Sequence, residues 1–204
     1  MMRTLLLFSA LIFTACVDAE TQEMDAFELT IPELQAALAS GETTSRALVQ
    51  QYLDRIAAFD KDGPQLSAMI SINPRALEEA AALDREREGN GPRGPLHGIP
   101  ILLKDNYDTH DMPTTASAIA MDGFTPPDDG TQVRKLRAAG AVFICKTNLH
   151  EFARGIETIS SLGGQTRNPY DPTRNPCGSS SGSGAAAAAG FAAVAVGTET
   201  NGSI

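Results

Sequence analysis

Apolar residues recur at helical spacing in several segments of this chain, with short polar stretches between them. The first segment follows a capping-box pattern formed by Thr30 and Glu33, and Gly41 ends it. Three more helices are predicted to begin near residues 45, 73 and 131. The last of these is expected to cover residues 131–139, and Gly140 would close it.

Short apolar runs alternate with these predicted helices. Such runs lie at residues 66–72, 99–103, 141–146 and 192–196. A continuous apolar run bounded by glycine or proline is typical of a strand that is buried on both faces. Helices that alternate with buried strands indicate an α/β fold. A chain of 204 residues is long enough for one domain with a hydrophobic core.

The first 19 residues have the pattern of a secretory signal peptide. Arg3 precedes an apolar stretch at residues 5–15. As a helix this stretch would reach only about 16 Å, which is too short for a bilayer core of about 30 Å. The segment FTAC resembles a bacterial lipobox with Phe13 in the place of the usual leucine, and it would make Cys16 the lipidated N-terminus.

Ordinary signal-peptidase cleavage before Glu20 is the alternative to lipidation at Cys16. Both alternatives predict an exported protein of the periplasm or cell envelope. A lipid on Cys16 would anchor that protein to a membrane without a spanning segment. We expect residues 24–204 to form the folded domain that follows.

Composition and charge exclude several classes of function. The net charge of −9 argues against nucleic acid or an anionic membrane surface as the main partner. The cysteine spacing is not that of a metal site, and we expect no cofactor. Cys145 lies in an apolar run and is expected to be a buried thiol, although a disulfide with Cys177 stays open in an oxidising compartment. His97, His110 and His150 are expected at the surface.

The C-terminal segment NPCGSSSGSGAAAAAGFAAVAVGTETNGSI allows several interpretations. A glycine-serine run can be a linker, or it can allow tight packing with no chemistry. The serines of residues 179–183 could also cap a helix made from the alanine-rich residues 184–189. Residues 178–182 also match the G-x-S-x-G elbow of α/β-hydrolases, with Ser180 at the centre. That elbow needs a preceding strand and a later histidine and aspartate, and the sequence provides none of these. A phosphate-binding loop would need a G-K-[ST] ending, which is also missing here.

Three blocks of the sequence together resemble the amidase signature family. GIPILLKDN is similar to the lysine-bearing strand of that family, CKTNLHEFARG to its second block, and GSSSGSGAAAAAGFAAVAVGTETNGSI to its glycine-serine signature. The blocks occur in the family's order. The resemblance implies a mixed β-sheet core flanked by helices, of which this chain would form the N-terminal part. Cys177 and Asn201 depart from residues that are frequent in the family, but neither change removes a backbone N–H group.

The resemblance also implies a catalytic triad. Lys104 would be the catalytic base, Ser179 would be the bridging serine on a cis peptide, and Ser203 would be the nucleophile. The backbone N–H groups of four residues would form the oxyanion hole, namely Thr200, Asn201, Gly202 and Ser203. A lysine can act as a base near neutral pH only when burial lowers its pKa, and the apolar run before Lys104 favours such burial.

The resemblance therefore predicts an amidase that hydrolyses a small-molecule amide. A peptide amide, a fatty amide, an aryl amide and an ester all stay open as substrates. The alternatives are a protein similar to the A subunit of glutamyl-tRNA amidotransferase, or an exported binding protein without catalysis. Because the family domain is longer, we expect the chain to be an inactive N-terminal fragment by itself.

Asn148 is expected to cap a short helix that contains Glu151.

Overall fold

The computed structural model describes residues 24–204. The predicted signal peptide and Cys16 lie outside the described residues, so export and lipidation stay predictions. The described α-helices are α1 (Ile31–Ser40), α2 (Ser45–Ile56), α3 (Ala76–Asn90), α4 (Thr131–Ala138) and α5 (Ser181–Ala188). The strands are β1 (Met69–Ile72), β2 (Pro100–Lys104), β3 (Val142–Thr147), β4 (Ile159–Ser160), β5 (Gly164–Gln165) and β6 (Val194–Val196).

Four strands form one mixed sheet in the order β1-β3-β2-β6. Strand β1 is antiparallel to β3, whereas β2 is parallel to both β3 and β6. All residues of the two central strands, β2 and β3, are buried, as the apolar runs predicted. Helix α5 packs against β2, β3 and β6, and β4 and β5 form a separate two-stranded sheet. The predicted α/β fold with a mixed sheet is confirmed.

The first helix shows why its sequence pattern was informative. The Thr30 side chain accepts a hydrogen bond from the backbone of Glu33, and the Glu33 side chain accepts one from the backbone of Thr30. Gly41 follows the helix with φ = 77°, in the left-handed region that glycine adopts without steric cost. Leu34 and Leu38 point into the core. The capping box and the end of α1 are therefore confirmed.

Several predicted boundaries are wrong by two or three residues. Helix α3 begins at Ala76 and not near residue 73, and β6 begins at Val194 and not at residue 192. Two others have a cause in the tertiary structure. The strand predicted from residue 66 begins only at Met69, because the buried carboxylate of Asp60 accepts hydrogen bonds from the backbone N–H groups of Ala68 and Met69. Helix α5 begins at Ser181, three residues before the alanine-rich stretch from which it was predicted. The N–H of Gly182, in its first turn, donates to the carbonyl of Asn148, so packing against the loop after β3 extends the helix at this end.

His97 is buried, contrary to expectation, and Asn148, which was expected to cap a helix, is buried as well. The His97 ring lies between the carbonyl of Leu83, 2.9 Å from Nε2, and the backbone N–H of Arg93, 3.2 Å from Nδ1. Asn148 does not cap a helix. Its amide group donates to the Thr166 hydroxyl at 3.0 Å and holds the loop after β3 in place. Both side chains form tertiary hydrogen bonds that local sequence patterns do not reveal.

Among residues 24–204, no helix combines the length and the apolar character needed to cross a membrane.

Candidate active site

Three segments meet at the carboxyl end of the parallel strands, where α/β sheets commonly place their ligands. Lys104 is the last residue of β2. The loop after β6 brings Thr198 and Ser203 to the same place, and the segment before α5 brings Ser179 and Ser180. The sequence predicted Lys104, Ser179 and Ser203 as one group, and the structure places them side by side.

A continuous hydrogen-bonded path joins these three side chains. Lys104 Nζ lies 2.8 Å from Ser179 Oγ, and Ser179 Oγ lies 2.9 Å from Ser203 Oγ. Ser179 is therefore the link between the amine and the second hydroxyl, although 75 residues separate it from Lys104 in the sequence. The peptide bond between Gly178 and Ser179 is cis, as the resemblance implied.

Burial changes the charge behaviour of Lys104. Its side chain has no exposure to solvent, and this burial lowers its pKa to about 8, against the opposing attraction of the Glu199 carboxylate. Asp105 does not neutralise Lys104, because its carboxylate pairs instead with Lys146 on β3. Lys104 and Asp105 are adjacent along the chain, and adjacent residues in extended backbone point to opposite faces of a sheet. Lys146, which pairs with Asp105, therefore lies on the face away from the Lys104 amine. Lys104 is thus surrounded mainly by neutral hydroxyl groups.

Two further residues contact the Lys104 amine. Nζ lies 2.9 Å from Ser180 Oγ and 2.8 Å from Thr198 Oγ1. The Asn106 side-chain amide donates to Thr198 Oγ1 at 3.1 Å. From the sequence alone Ser180 was a capping residue or an alternative nucleophile, and neither Thr198 nor Asn106 was singled out. The signals that could have found them were a polar residue two positions after Lys104 and a threonine two positions after the end of β6.

The loop after β6 carries the residues predicted for the oxyanion hole. Thr200, Asn201 and Gly202 are exposed and Ser203 is partly buried. Within residues 24–204, the backbone N–H groups of these four residues donate to no acceptor. The backbone N–H of Ser180 donates to the Ser203 carbonyl at 3.1 Å, which ties the loop to the start of α5. The loop therefore holds free donors beside the Ser203 hydroxyl.

A cavity of about 300 Å³ opens beside Ser203. Its wall is made mostly of small residues from the segment before α5, from α5 itself, and from β6 and the loop that follows it. Gly182, which does not line the cavity, is small for a different reason: a Cβ there would overlap the backbone of Asn148 and lie 2.7 Å from the Ala68 carbonyl oxygen. The cavity is large enough for a small organic group next to the Ser203 hydroxyl.

Within residues 24–204, the side chains of the other candidate residues form no hydrogen bond with the path from Lys104 to Ser203, although Cys177 lines the cavity beside it. Cys145 is a buried free thiol and Cys177 an exposed free thiol, so the disulfide that was left open is not formed. The side chains of His110, Asp111 and Asp129 lie close enough together to suggest a cation site. However, Arg137 already pairs with both carboxylates. Burial raises the pKa of Asp129, but hydrogen bonds from Arg137 and His110 outweigh that effect and lower it to about 2.

Comparison with known proteins decides the family. The family model described as amidase matches residues 47–204, which is most of the chain. This chain belongs to the amidase family. The recognition of the amidase signature blocks in the sequence is confirmed.

Among the similar sequences are components of an amidotransferase. The chain is 47% identical over 181 residues to the A subunit of the glutamyl-tRNA(Gln) amidotransferase of Thermobifida fusca. It is 45% identical over 177 residues to the protein of the same name from Chloroflexus aurantiacus. Both alignments cover 86–88% of this chain but only 36% of the relative.

Solved structures of amidases have the same fold. Native peptide amidase from Stenotrophomonas maltophilia superposes with a TM-score of 0.84 at 55% identity, over 87% of this chain and 37% of that one. An amidase family protein from Bacillus anthracis superposes with a TM-score of 0.83 at 39% identity, over 87% of this chain and 36% of that one. The chain thus spans a little over a third of the length of the relatives it matches.

Proposed function

We propose that this chain carries the catalytic groups of an exported amidase, which hydrolyses the C–N bond of a carboxamide through an acyl-enzyme on Ser203. The hydrogen-bonded path from Lys104 through Ser179 to Ser203 is the observation that carries the proposal. A serine hydroxyl is a weak nucleophile unless a base removes its proton during attack. The path supplies such a base without a histidine.

Lys104 is the base in this mechanism. With a pKa of about 8, about one lysine side chain in ten is neutral at pH 7, against about one in 2,500 at the ordinary lysine pKa. As Ser203 Oγ bonds to the amide carbon, its proton passes to Ser179 Oγ and the Ser179 proton passes to Lys104 Nζ. The negative charge develops on the carbonyl oxygen of the substrate. No proton is lost to solvent in this step.

The free N–H groups of residues 200–203 stabilise that charge. Backbone donors fixed beside a nucleophile act most strongly on an oxyanion, because they need no reorganisation when the charge appears. Collapse of the tetrahedral intermediate breaks the C–N bond, and the proton held by Lys104 returns through Ser179 to the leaving amine. Water then attacks the acyl-enzyme by the same proton path, and the carboxylic acid leaves.

A peptide with a C-terminal carboxamide is the first substrate to test. The structural neighbour at 55% identity is a peptide amidase, and the cavity beside Ser203 can hold a small side chain. A fatty amide, an aryl amide and an ester are the substrates to compare with it.

Labelling with a fluorophosphonate tests the assigned nucleophile. We expect the protein, expressed as its gene encodes it, to be labelled on Ser203 and to release ammonia from a peptide amide. Ser203→Ala should abolish both, whereas Ser161→Ala, a serine outside the proposed machinery, should keep both. If wild type and Ser203→Ala gave the same labelling and turnover, the assignment would be wrong and a non-catalytic binding protein would be favoured.

A role within an amidotransferase is the second candidate function. The identity of 47% to the A subunit of the T. fusca amidotransferase favours it. A protein in that role would act in the cytoplasm with partner subunits, whereas the predicted signal peptide favours export. Locating the native protein by cell fractionation separates the two. A cytoplasmic protein that copurifies with other subunits would support the amidotransferase, and an envelope protein that is active alone would support the amidase.

A further inference from the structure

The Lys104 amine has three oxygen neighbours, and this number constrains its protonation. Nζ lies within 2.9 Å of the hydroxyl oxygens of Ser179, Ser180 and Thr198. A charged ammonium group has three N–H donors, one for each oxygen. A neutral amine has two N–H donors and one lone pair, so one of the three hydroxyls must then donate to nitrogen. The hydroxyl that donates to the nitrogen lone pair is the group from which Lys104 can take up a proton.

Ser180 is fixed as an acceptor toward Lys104. Its hydroxyl donates to the Thr198 carbonyl at 3.0 Å, so its only proton is already used. Its oxygen also accepts from the Thr198 backbone N–H at 3.2 Å. The remaining lone pair is available for Lys104. Ser180 can therefore receive an N–H from the lysine but cannot donate to it.

The Asn106 amide favours the same acceptor role for Thr198. Thr198 Oγ1 accepts from the Asn106 amide at 3.1 Å and from Lys104 Nζ at 2.8 Å. The Asn106 bond uses one lone pair of the hydroxyl oxygen, and the second lone pair faces Lys104 Nζ. The Thr198 hydroxyl proton has no acceptor among residues 24–204, so a Thr198 that donates to the neutral amine is the alternative that the variants below test.

We propose that Ser180 and Thr198 are positioning residues that hold two N–H bonds of Lys104, so that the lone pair of its neutral form faces Ser179. This proposal rests on the proposed function, and it specifies that the proton reaches Lys104 from Ser179. Protons then enter and leave Lys104 only at the hydroxyl that also contacts Ser203. Other charges near Lys104 do not supply this direction. Glu199 attracts the ammonium form, and Asp105 and Lys146 pair with each other instead.

Thr198→Val gives the proposal a signature that a purely structural defect lacks. The ammonium form loses one of three acceptors, so the pKa of Lys104 should fall by about one to two pH units. The neutral amine can then turn its lone pair toward the valine, so the plateau kcat at high pH should fall about two- to tenfold. The acidic limb of kcat/KM therefore moves to lower pH while the maximum rate decreases. Thr198→Ser should restore both values.

The matched control is Thr166→Val. Thr166 is a buried threonine whose hydroxyl forms two hydrogen bonds, to Asn148 and to the Ser67 carbonyl, and it does not contact Lys104. This control should lose stability as Thr198→Val does, but its acidic limb should not move. An acidic limb that stays in place in Thr198→Val, or a plateau at or above the wild-type value, would overturn the proposal.

A titration of Lys104 by ¹⁵N NMR separates this proposal from the proposed function. The signal is assigned by its loss in Lys104→Met, and no turnover is needed. A lower pKa in Thr198→Val than in wild type supports the positioning role even if no carboxamide is hydrolysed and Ser203 is not labelled; that result would count against the amidase alone. An unchanged pKa would refute the positioning role even in an active enzyme.

Discussion

Replacing Lys146 with methionine removes the cation that faces a carboxylate with no exposure to solvent. Lys146 Nζ lies 3.4 Å from Asp105 Oδ1, and both side chains are 0% exposed. The amine also donates to the Tyr107 carbonyl and the Thr114 hydroxyl, both at 2.8 Å. Burial lowers the pKa of Lys146, while the Asp105 carboxylate acts in the opposite direction and favours the charged amine. Each charge thus depends on the other.

The cost of this change can be worked from the burial of the pair. Removing one partner of a buried ion pair costs about 3–5 kcal/mol, because the other charge stays in a medium that solvates it poorly. Asp105 keeps three hydrogen bonds, from the backbone and hydroxyl of Thr115 and the backbone of Ser117. We therefore expect Lys146→Met to lower the free energy of unfolding by about 3 kcal/mol, at the lower end of that range.

Equilibrium unfolding in urea measures this loss, with Lys135→Met as the matched control. Lys135 is exposed on α4, so the same substitution there should change the free energy of unfolding by less than about 0.5 kcal/mol. Adding Asp105→Asn to Lys146→Met should recover part of the loss, because the uncompensated charge is then removed. If Lys146→Met and Lys135→Met differed by less than about 1 kcal/mol, the argument from a buried charge would be refuted.

Three other predictions follow from the same structure. Because catalysis needs the neutral form of Lys104, kcat/KM should fall about tenfold per pH unit below a pKa of about 8; a flat profile from pH 6 to 9 would contradict this. Gly182→Ala should lower the free energy of unfolding, measured in urea, by about 1–3 kcal/mol, because the added Cβ meets backbone atoms. Gly184→Ala, in open space on the same helix, should stabilise it by up to about 1 kcal/mol. Cys177 should react with a thiol reagent in the native protein, and Cys145 only after unfolding, because burial raises its pKa; equal rates would contradict this.

Much of the fold could be predicted from local patterns. The capping box of α1 and the apolar runs of β2 and β3 each reflect preferences that a few neighbouring residues express by themselves. Two of the boundaries that failed depend on distant partners. Asp60 delays the start of β1, and the Asn148 carbonyl binds the first turn of α5. No local pattern contains such partners, so local reasoning placed these ends incorrectly.

The residues of the candidate site were also predictable only in part. Lys104, Ser179 and Ser203 were named together only because three sequence blocks resemble one family; no periodicity in the chain joins them. Thr198 was not recognised, because a threonine after a strand is common and its contact with Lys104 exists only in the folded chain. His97 was expected at the surface for a related reason: the carbonyl of Leu83 that faces its Nε2 lies 14 residues away, and no local pattern shows that contact.

The sequence by itself determined the alternation of helices and buried strands, the acidic balance and the identity of the groups that could do the chemistry. Only the tertiary structure decided which of these groups meet and in what charge state. The hydrophobic pattern acts through neighbours along the chain, and it is therefore readable from a few residues. The pKa of Lys104 and the path to Ser203 depend on burial and on hydroxyls up to 94 residues away, which come together only when the sheet and α5 pack.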